Sequence, residues 1–149
     1  MTISGTLPPR LHEIIEDFKL CEGEEKIEML LDFSDRMPPL PERLHSLRAE
    51  MESVHECMTP VLAHAELEDG GLYFYFDIPQ EAPTVRGYAA MLAEGLNGST
   101  PQQVMALPNT LLHDTGLQHV IGPQRLNGMA ALLAYLKRLA FHHLRQQQA

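Results

Sequence analysis

Cysteine is scarce in this chain. There are two in 149 residues, Cys21 and Cys57, too few for the disulfide framework of a small secreted domain. The first ten residues carry neither the apolar stretch nor the basic leader of an export signal. No run approaches the ~20 apolar residues that cross a bilayer as a helix. These absences together set the expectation of a cytoplasmic protein with free thiols and no membrane association. Basic residues are also few, 11 Lys and Arg against 20 Asp and Glu, for a formal net charge of −9. That balance repels nucleic acid and anionic lipid, which excludes both as non-specific partners. No internal repeat or long linker is present. A glycine-rich phosphate loop is missing too, since Gly70-Gly71 reads as a turn and Gly95 to Gly98 as a helix end. A nucleophile elbow of the serine hydrolases is likewise absent.

What remains is an ordinary globular composition, 44% hydrophobic, in a length suited to one domain over residues 1–149, with flexible ends at 1–7 and 142–149. Leu11, Ile14, Ile15 and Phe18 fall on one helical face, with Gly23 as the expected C-cap. A second helix over Glu24 to Met37 turns Ile27, Leu30, Leu31 and Phe33 inward and is stopped by Pro38-Pro39-Leu40-Pro41. Residues 41–52 are polar and fit helix or loop. Val61 to Glu68 alternates as a strand, Glu68-Asp69-Gly70-Gly71 is a hairpin turn, and Leu72 to Asp77 is the return strand. A weaker third strand is expected around Glu52 to Glu56. Val85, Tyr88, Ala89, Leu92 and Leu96 then recur at helical spacing up to Asn97-Gly98. Thr100-Pro101-Gln102-Gln103 is a capping box with proline at the first helical position. A short helix is expected at Pro108 to Asp114, closed by Gly116. Gly122-Pro123 opens a last helix with Leu126, Met129, Ala130, Leu133 and Leu136 on one side. Helices, a small antiparallel sheet and helices again make an α+β plan.

Cys57 lies just before the strongest strand, where a loop at the sheet's end presents it. A sulfur nucleophile needs thiolate character and access. A protonated His55 favours the thiolate and Glu56 opposes it. The competing reading is a small buried apolar residue, the usual fate of a free cysteine. Cys21 sits among Glu22, Glu24 and Glu25, whose charges oppose thiolate formation, so it reads as structural. His55-Glu56-Cys57 is too tight for a chelating pair and has no second cysteine nearby, so no metal site is expected. Arg86 and Arg125, near the starts of helices on acidic ground, fit either solvated charges or contacts to an anionic partner.

Several ordered segments resemble the SufE family of sulfur acceptors, from about Leu11 to Leu139. They are Asp17-Phe18 in the first helix, the Glu24-Glu25-Lys26 helix ending in Met37-Pro38-Pro39-Leu40, and the cysteine before the strand pair. Further on come Ala82-Pro83-Thr84-Val85-Arg86-Gly87, Thr100-Pro101-Gln102-Gln103-Val104, Gly116-Leu117-Gln118-His119-Val120 and Pro123-Gln124-Arg125-Leu126-Asn127-Gly128-Met129. The resemblance implies a two-layer SufE/NifU-like fold, a three-stranded antiparallel sheet packed against helices. It implies that Cys57 accepts persulfide sulfur from a SufS-type cysteine desulfurase, stimulates that enzyme and passes sulfur to a SufBCD-like scaffold that assembles iron–sulfur clusters. On this reading Arg86, Arg125, His55 and Glu56 face the partner. The chain itself holds no cofactor beyond a transient cysteine persulfide, the pyridoxal phosphate belonging to the desulfurase, and a homodimer stays open. The alternatives are a non-catalytic adaptor and a NifU/IscU-like scaffold, the latter opposed by two cysteines far apart in sequence. Two departures from the family pattern stand beside the thiol: Glu56 replaces a glycine, and Met58-Thr59-Pro60-Val61 replaces a Gln-Ser-x-Val-Trp-like run.

Overall fold

The computed structural model describes residues 7–57 and 60–148. The first helix, α1 (Pro9–Leu20), begins with proline at its first position, where the missing amide costs nothing, and buries Leu11, Ile14, Ile15 and Phe18 as their spacing requires. Its C-cap is the extended Cys21. Gly23, expected to close α1, instead precedes α2 (Glu24–Arg36) as its N-cap, at φ 55°. In α2, Leu30 and Phe33 are buried and Ile27 is half-buried, while Leu31 turns outward at 39% exposure. The face of α2 is therefore narrower than its apolar residues suggest. Lys26 is buried instead, and its ammonium donates to the carbonyls of Phe18 and Thr115, tying the end of α1 to a distant turn.

The ambiguous polar stretch is a 3-10 helix, Glu42–Glu50. Arg43 grips the Glu66 carboxylate through two hydrogen bonds of 2.8 and 2.7 Å, and Arg48 reaches Asp77 at 2.8 Å. These pairs fasten the segment to the sheet just before its first strand. The sheet has the order β1-β2-β3 and is antiparallel throughout. β2 (Leu62–Glu68) and β3 (Gly71–Asp77) pair over their full length. Asp69 and Gly70 both take positive φ, 52° and 83°, the geometry that lets a two-residue hairpin follow the strand twist. β1 is only Glu52–Ser53. The chain leaves the sheet there because the residues that follow form a loop with duties of its own. The free edge of β3 is covered by the turn after α3: Leu72 and Ser99 bridge, and the Asn97 side chain accepts from the Phe74 amide.

Ala63, Ala65, Leu72, Phe74 and Phe76 line the inner face of the sheet. Against it lie α3 (Pro83–Leu96) and α6 (Pro123–Gln148), with α1 and α2 packed behind α3. The result is the expected α+β plan, a three-stranded antiparallel sheet packed against helices. α4 (Pro101–Met105) opens with the complete capping box of Thr100 and Gln103. α5 (Leu111–Asp114) is shorter than its expected span. In α6, Met129, Leu133 and Leu136 are buried, Leu126 is half-buried and Ala130 is exposed. The helix also continues beyond His142 to Gln148, where a polar, fraying tail is expected; His143 Nε2 lies 2.8 Å from the Ala65 carbonyl, so this end of the helix is bound to the sheet.

Helix α3 is held by close backbone approach. A Cβ on Gly87 would lie 2.1 Å from the carbonyl oxygen of Leu30, and one on Gly95 would lie 2.9 Å from the Leu11 Cα. No rotamer change relieves a clash with backbone. Gly87→Ala is therefore expected to destabilise the fold by about 3 kcal/mol or more, as overpacking against an immovable neighbour does, read as a lowered urea midpoint. An unchanged midpoint is the result that contradicts this packing.

Candidate functional site

The loop between β1 and β2 carries Cys57. It is closed at its base by a hydrogen bond from the Val54 amide to the Val61 carbonyl, 3.0 Å, with both side chains buried. Within it the Cys57 amide donates to the Val54 carbonyl at 3.2 Å, which turns the thiol back toward the protein. Cys57 is half-buried and packs against the core. Its seat is on α6: a Cβ on Gly128 would stand only 2.8 Å from the Cys57 Sγ. Glycine there lets the sulfur settle on bare helix backbone. Seven residues on, two helical turns along the same face, the buried Tyr135 donates from its hydroxyl to the Glu56 carboxylate at 3.3 Å. The Arg138 guanidinium lies 4.5 Å from the Tyr135 ring centroid and 3.8 Å from the carboxylate of Glu52, in β1. Loop and helix thus meet at the sulfur, at Glu56 and at the strand that leads in.

Beside the sulfur opens a cleft of about 440 Å³, walled by Glu81, Thr84, Val85, Gln124 and Arg125 as well as by Cys57. The first turns of both α3 and α6 border it. The leading amides of a helix have no acceptor within the helix, so each end brings partial positive charge. Arg125, exposed at the rim, adds a full one. Opposing influences act on the thiol itself. Burial pushes the Cys57 thiol above its ordinary value of 9.0, and the Glu56 carboxylate pushes it further. In this seated pose Cys57 is a protonated thiol at neutral pH, and a poor nucleophile.

Of the residues singled out by sequence, Cys57 and Arg125 share the cleft. Glu56 adjoins it but is engaged with Tyr135. His55 is exposed and does not line the cleft. Arg86 also stands outside it, half-buried, donating from Nε to the Ser34 carbonyl at 3.2 Å and from Nη1 to the Ile78 carbonyl at 2.6 Å. Those bonds join the end of α2 to the end of β3. Cys21 sits at the α1–α2 turn with its Sγ 3.9 Å from the Met29 Sδ, and both thiols are free. Met58 and Thr59 lie outside the described residues, and Pro60 is exposed. Among the described residues no three His, Cys, Asp or Glu side chains are grouped to hold a metal ion, and no helix is long and apolar enough to cross a membrane. Sequence reasoning missed the seat itself. Gly128 stands in the Arg-x-x-Gly-Met motif, but nothing in a motif says what a glycine makes room for. Tyr135 has the one local signal available, a polar handle on an aromatic ring at an otherwise apolar helical position.

Comparison with known proteins gives a consistent result. The model of the SufE Fe-S metabolism associated domain matches residues 12–140. A SufE-like protein of Mycobacterium tuberculosis is 38% identical over 139 residues, covering 93% of this chain and 96% of that protein. One from Synechocystis is 32% identical over 141 residues, covering 93% of this chain and 86% of its own. The solution structure of a protein from Thermus thermophilus superposes with a TM-score of 0.81 at 36% identity, over 93% of this chain and 98% of that one.

Two outcomes follow from the seating of the sulfur. Labelling of Cys57 by iodoacetamide, followed by peptide mass mapping, is expected to rise with pH around a midpoint above 9.0, the ordinary thiol value. A midpoint below 9.0 contradicts the burial and charge described. Gly128→Ala is expected to displace the sulfur by its added methyl group and speed that labelling several-fold near neutral pH while the protein stays folded. Because the crowded atom is one side-chain sulfur on a loop, the cost in stability is expected to be about 1 kcal/mol, well below that of Gly87→Ala.

Proposed function

The chain belongs to the SufE family, and from that membership and the placement of Cys57 we propose that it accepts sulfur from the persulfide of a SufS-type cysteine desulfurase. The observation that carries the reading is the position of Cys57 in the β1–β2 loop, half-buried on Gly128 and bordering an open cleft. In the transfer, the Cys57 thiolate attacks the outer sulfur of the donor persulfide. A new bond forms between Cys57 Sγ and that sulfur, the donor's S–S bond breaks, and the donor cysteine leaves as thiolate. One persulfide is consumed and one formed, so no oxidant or reductant is needed. The pyridoxal phosphate that makes the donor persulfide belongs to the desulfurase.

Little acid–base apparatus is required of this chain. Its tasks are to present a thiolate, align it and keep water and oxidants away. The first turns of α3 and α6 and the Arg125 guanidinium favour an anionic sulfur in the cleft, against the Glu81 carboxylate that also lines it. Burial disfavours the thiolate while the loop is seated, and the charge of the adjacent Glu56 opposes it in any pose. Docking that lifts Cys57 off α6 relieves the desolvation, and nucleophilicity then appears where the donor is. Arg125 and His55, both exposed, supply partner contacts around the thiol, and the acquired sulfur passes on to a SufBCD-like cluster-assembly scaffold. This is a cytoplasmic role that consumes no resident cofactor.

The test is an anaerobic incubation with a cysteine desulfurase and cysteine, followed by intact mass and peptide mapping. One reductant-labile sulfur is expected on the Cys57 peptide and none in Cys57→Ser, with desulfurase turnover stimulated only by the unmodified protein. No sulfur on Cys57 beside an active desulfurase overturns the reading. Full stimulation by Cys57→Ser identifies a docking adaptor instead.

A further inference from the structure

We propose that the cleft beside Cys57 binds a small zwitterionic persulfide, the hydropersulfide of free cysteine, so that Cys57 also takes sulfur from a low-molecular-weight donor. The proposal rests on the reading of Cys57 as a sulfur acceptor and names a second class of donor for the same thiol.

The charges around the cleft point to this ligand. The chain has 11 Lys and Arg. Six of them pair with carboxylates, three donate to main-chain carbonyls, and Arg145 lies over the Phe141 ring. Arg125 is the one left. Among the described residues its exposed guanidinium has no ion pair, hydrogen bond or ring contact, and it lines the cleft from the first turn of α6. Glu81, two residues before α3, lines the same cleft, and its carboxylate is likewise without a partner among the described residues. The two opposite charges border one space and do not pair with each other across it. A simple anion there meets repulsion from Glu81, and a simple cation meets it from Arg125. A zwitterion offers its carboxylate to the guanidinium and its ammonium to the carboxylate, and satisfies both. Thr84 and Gln124 add neutral hydrogen-bonding groups to the same walls.

The third wall selects the sulfur chemistry. In cysteine hydropersulfide both charges sit on one carbon, and a single methylene joins that carbon to the sulfur pair. A head held between Arg125 and Glu81 leaves the sulfurs for the wall that Cys57 forms. The cleft, about 440 Å³, has the size of a small-molecule site. Because the thiol already borders this space, its loop need not move. As thiolate, Cys57 Sγ attacks the terminal sulfur of the ligand. A bond forms between those two sulfurs, the ligand's S–S bond breaks, and cysteine leaves as thiolate to take up the proton that Cys57 gave up. One persulfide is consumed and one formed, with no change in oxidation state overall.

S-methylcysteine tests the site without a desulfurase and without sulfur transfer, because a methyl group replaces the terminal SH and cannot be passed on. Its failure to bind leaves the desulfurase reading untouched. With iodoacetamide at fixed pH and peptide mapping, S-methylcysteine is expected to slow labelling of Cys57 to a saturable limit and to leave Cys21 unchanged. Methylthiopropionate lacks the ammonium and methylthioethylamine lacks the carboxylate. Each is expected to need about three-fold more for half-protection, the size of one exposed charge contact. Glu81→Gln should abolish the first difference and Arg125→Gln the second; both side chains are exposed, so the fold is expected to hold. Cysteine hydropersulfide, with no desulfurase present, is then expected to place one reductant-labile sulfur on the Cys57 peptide, and mercaptoethanol hydropersulfide to do so several-fold more slowly. The proposal is overturned by an absence of protection, by equal protection from the three probes, by differences that survive both substitutions, or by no sulfur on Cys57 from cysteine hydropersulfide.

Discussion

The close approach of α3 to its neighbours is the constraint on which everything else is built. Gly87 and Gly95 allow this helix to press its backbone against Leu30 in α2 and against Leu11 in α1. Nine of its residues are buried, so it behaves as the central rod of the helical layer. Because it is fixed on those sides, its remaining surface meets β3 and α6, and its first turn is left at the protein's edge. That turn is one wall of the cleft beside Cys57. A packing requirement far from the thiol thus decides where a helix's positive end is presented. The other wall is the start of α6, a helix that packs on α4 as well as on β2 and α3.

The loop bearing Cys57 is a compromise between two sets of contacts. Its base is part of the sheet, through Val54 and Val61, and is not free to move. Among the described residues, its tip rests on Gly128 and is joined to α6 by the Glu56 hydrogen bond. The half-buried thiol is kept protonated by its surroundings, which slows its oxidation, since the thiolate is the species that oxidants attack.

Much of this was legible in the sequence, and the parts that were not share a physical reason. The periodic faces of α1 and α3, the two-residue hairpin at Asp69-Gly70 and the capping box at Thr100 are local signals, and they appear where expected. Gly23 was misassigned because a glycine with positive φ serves equally at the end of one helix and before the next. Leu31 and Ala130 show that apolar character does not place a residue on the buried face when a neighbouring position already fills it. The position of Cys57 before a strong strand was readable. That its sulfur rests on Gly128 was not, because the contact joins residues 71 positions apart and involves an atom that glycine lacks. Arg86 makes the same point in reverse: an arginine at a helix start looks free in sequence, yet its guanidinium is spent on main-chain carbonyls 52 and 8 residues away.

The departure at position 56 is best understood through its partner on α6. A glycine there, as in the family pattern, leaves a loop free of charge and of side-chain tether. Glutamate adds a carboxylate beside the reactive sulfur, which alone would only depress reactivity. In this structure the carboxylate also accepts from the Tyr135 hydroxyl at 3.3 Å, which ties the exposed side chain to α6. A charge that merely opposed the thiolate would act in every state. Glu56, bonded to the residue that carries the thiol, is such a charge, but it is the smaller of the two influences: burial raises the Cys57 pKa most, and burial is the part that contact with solvent removes.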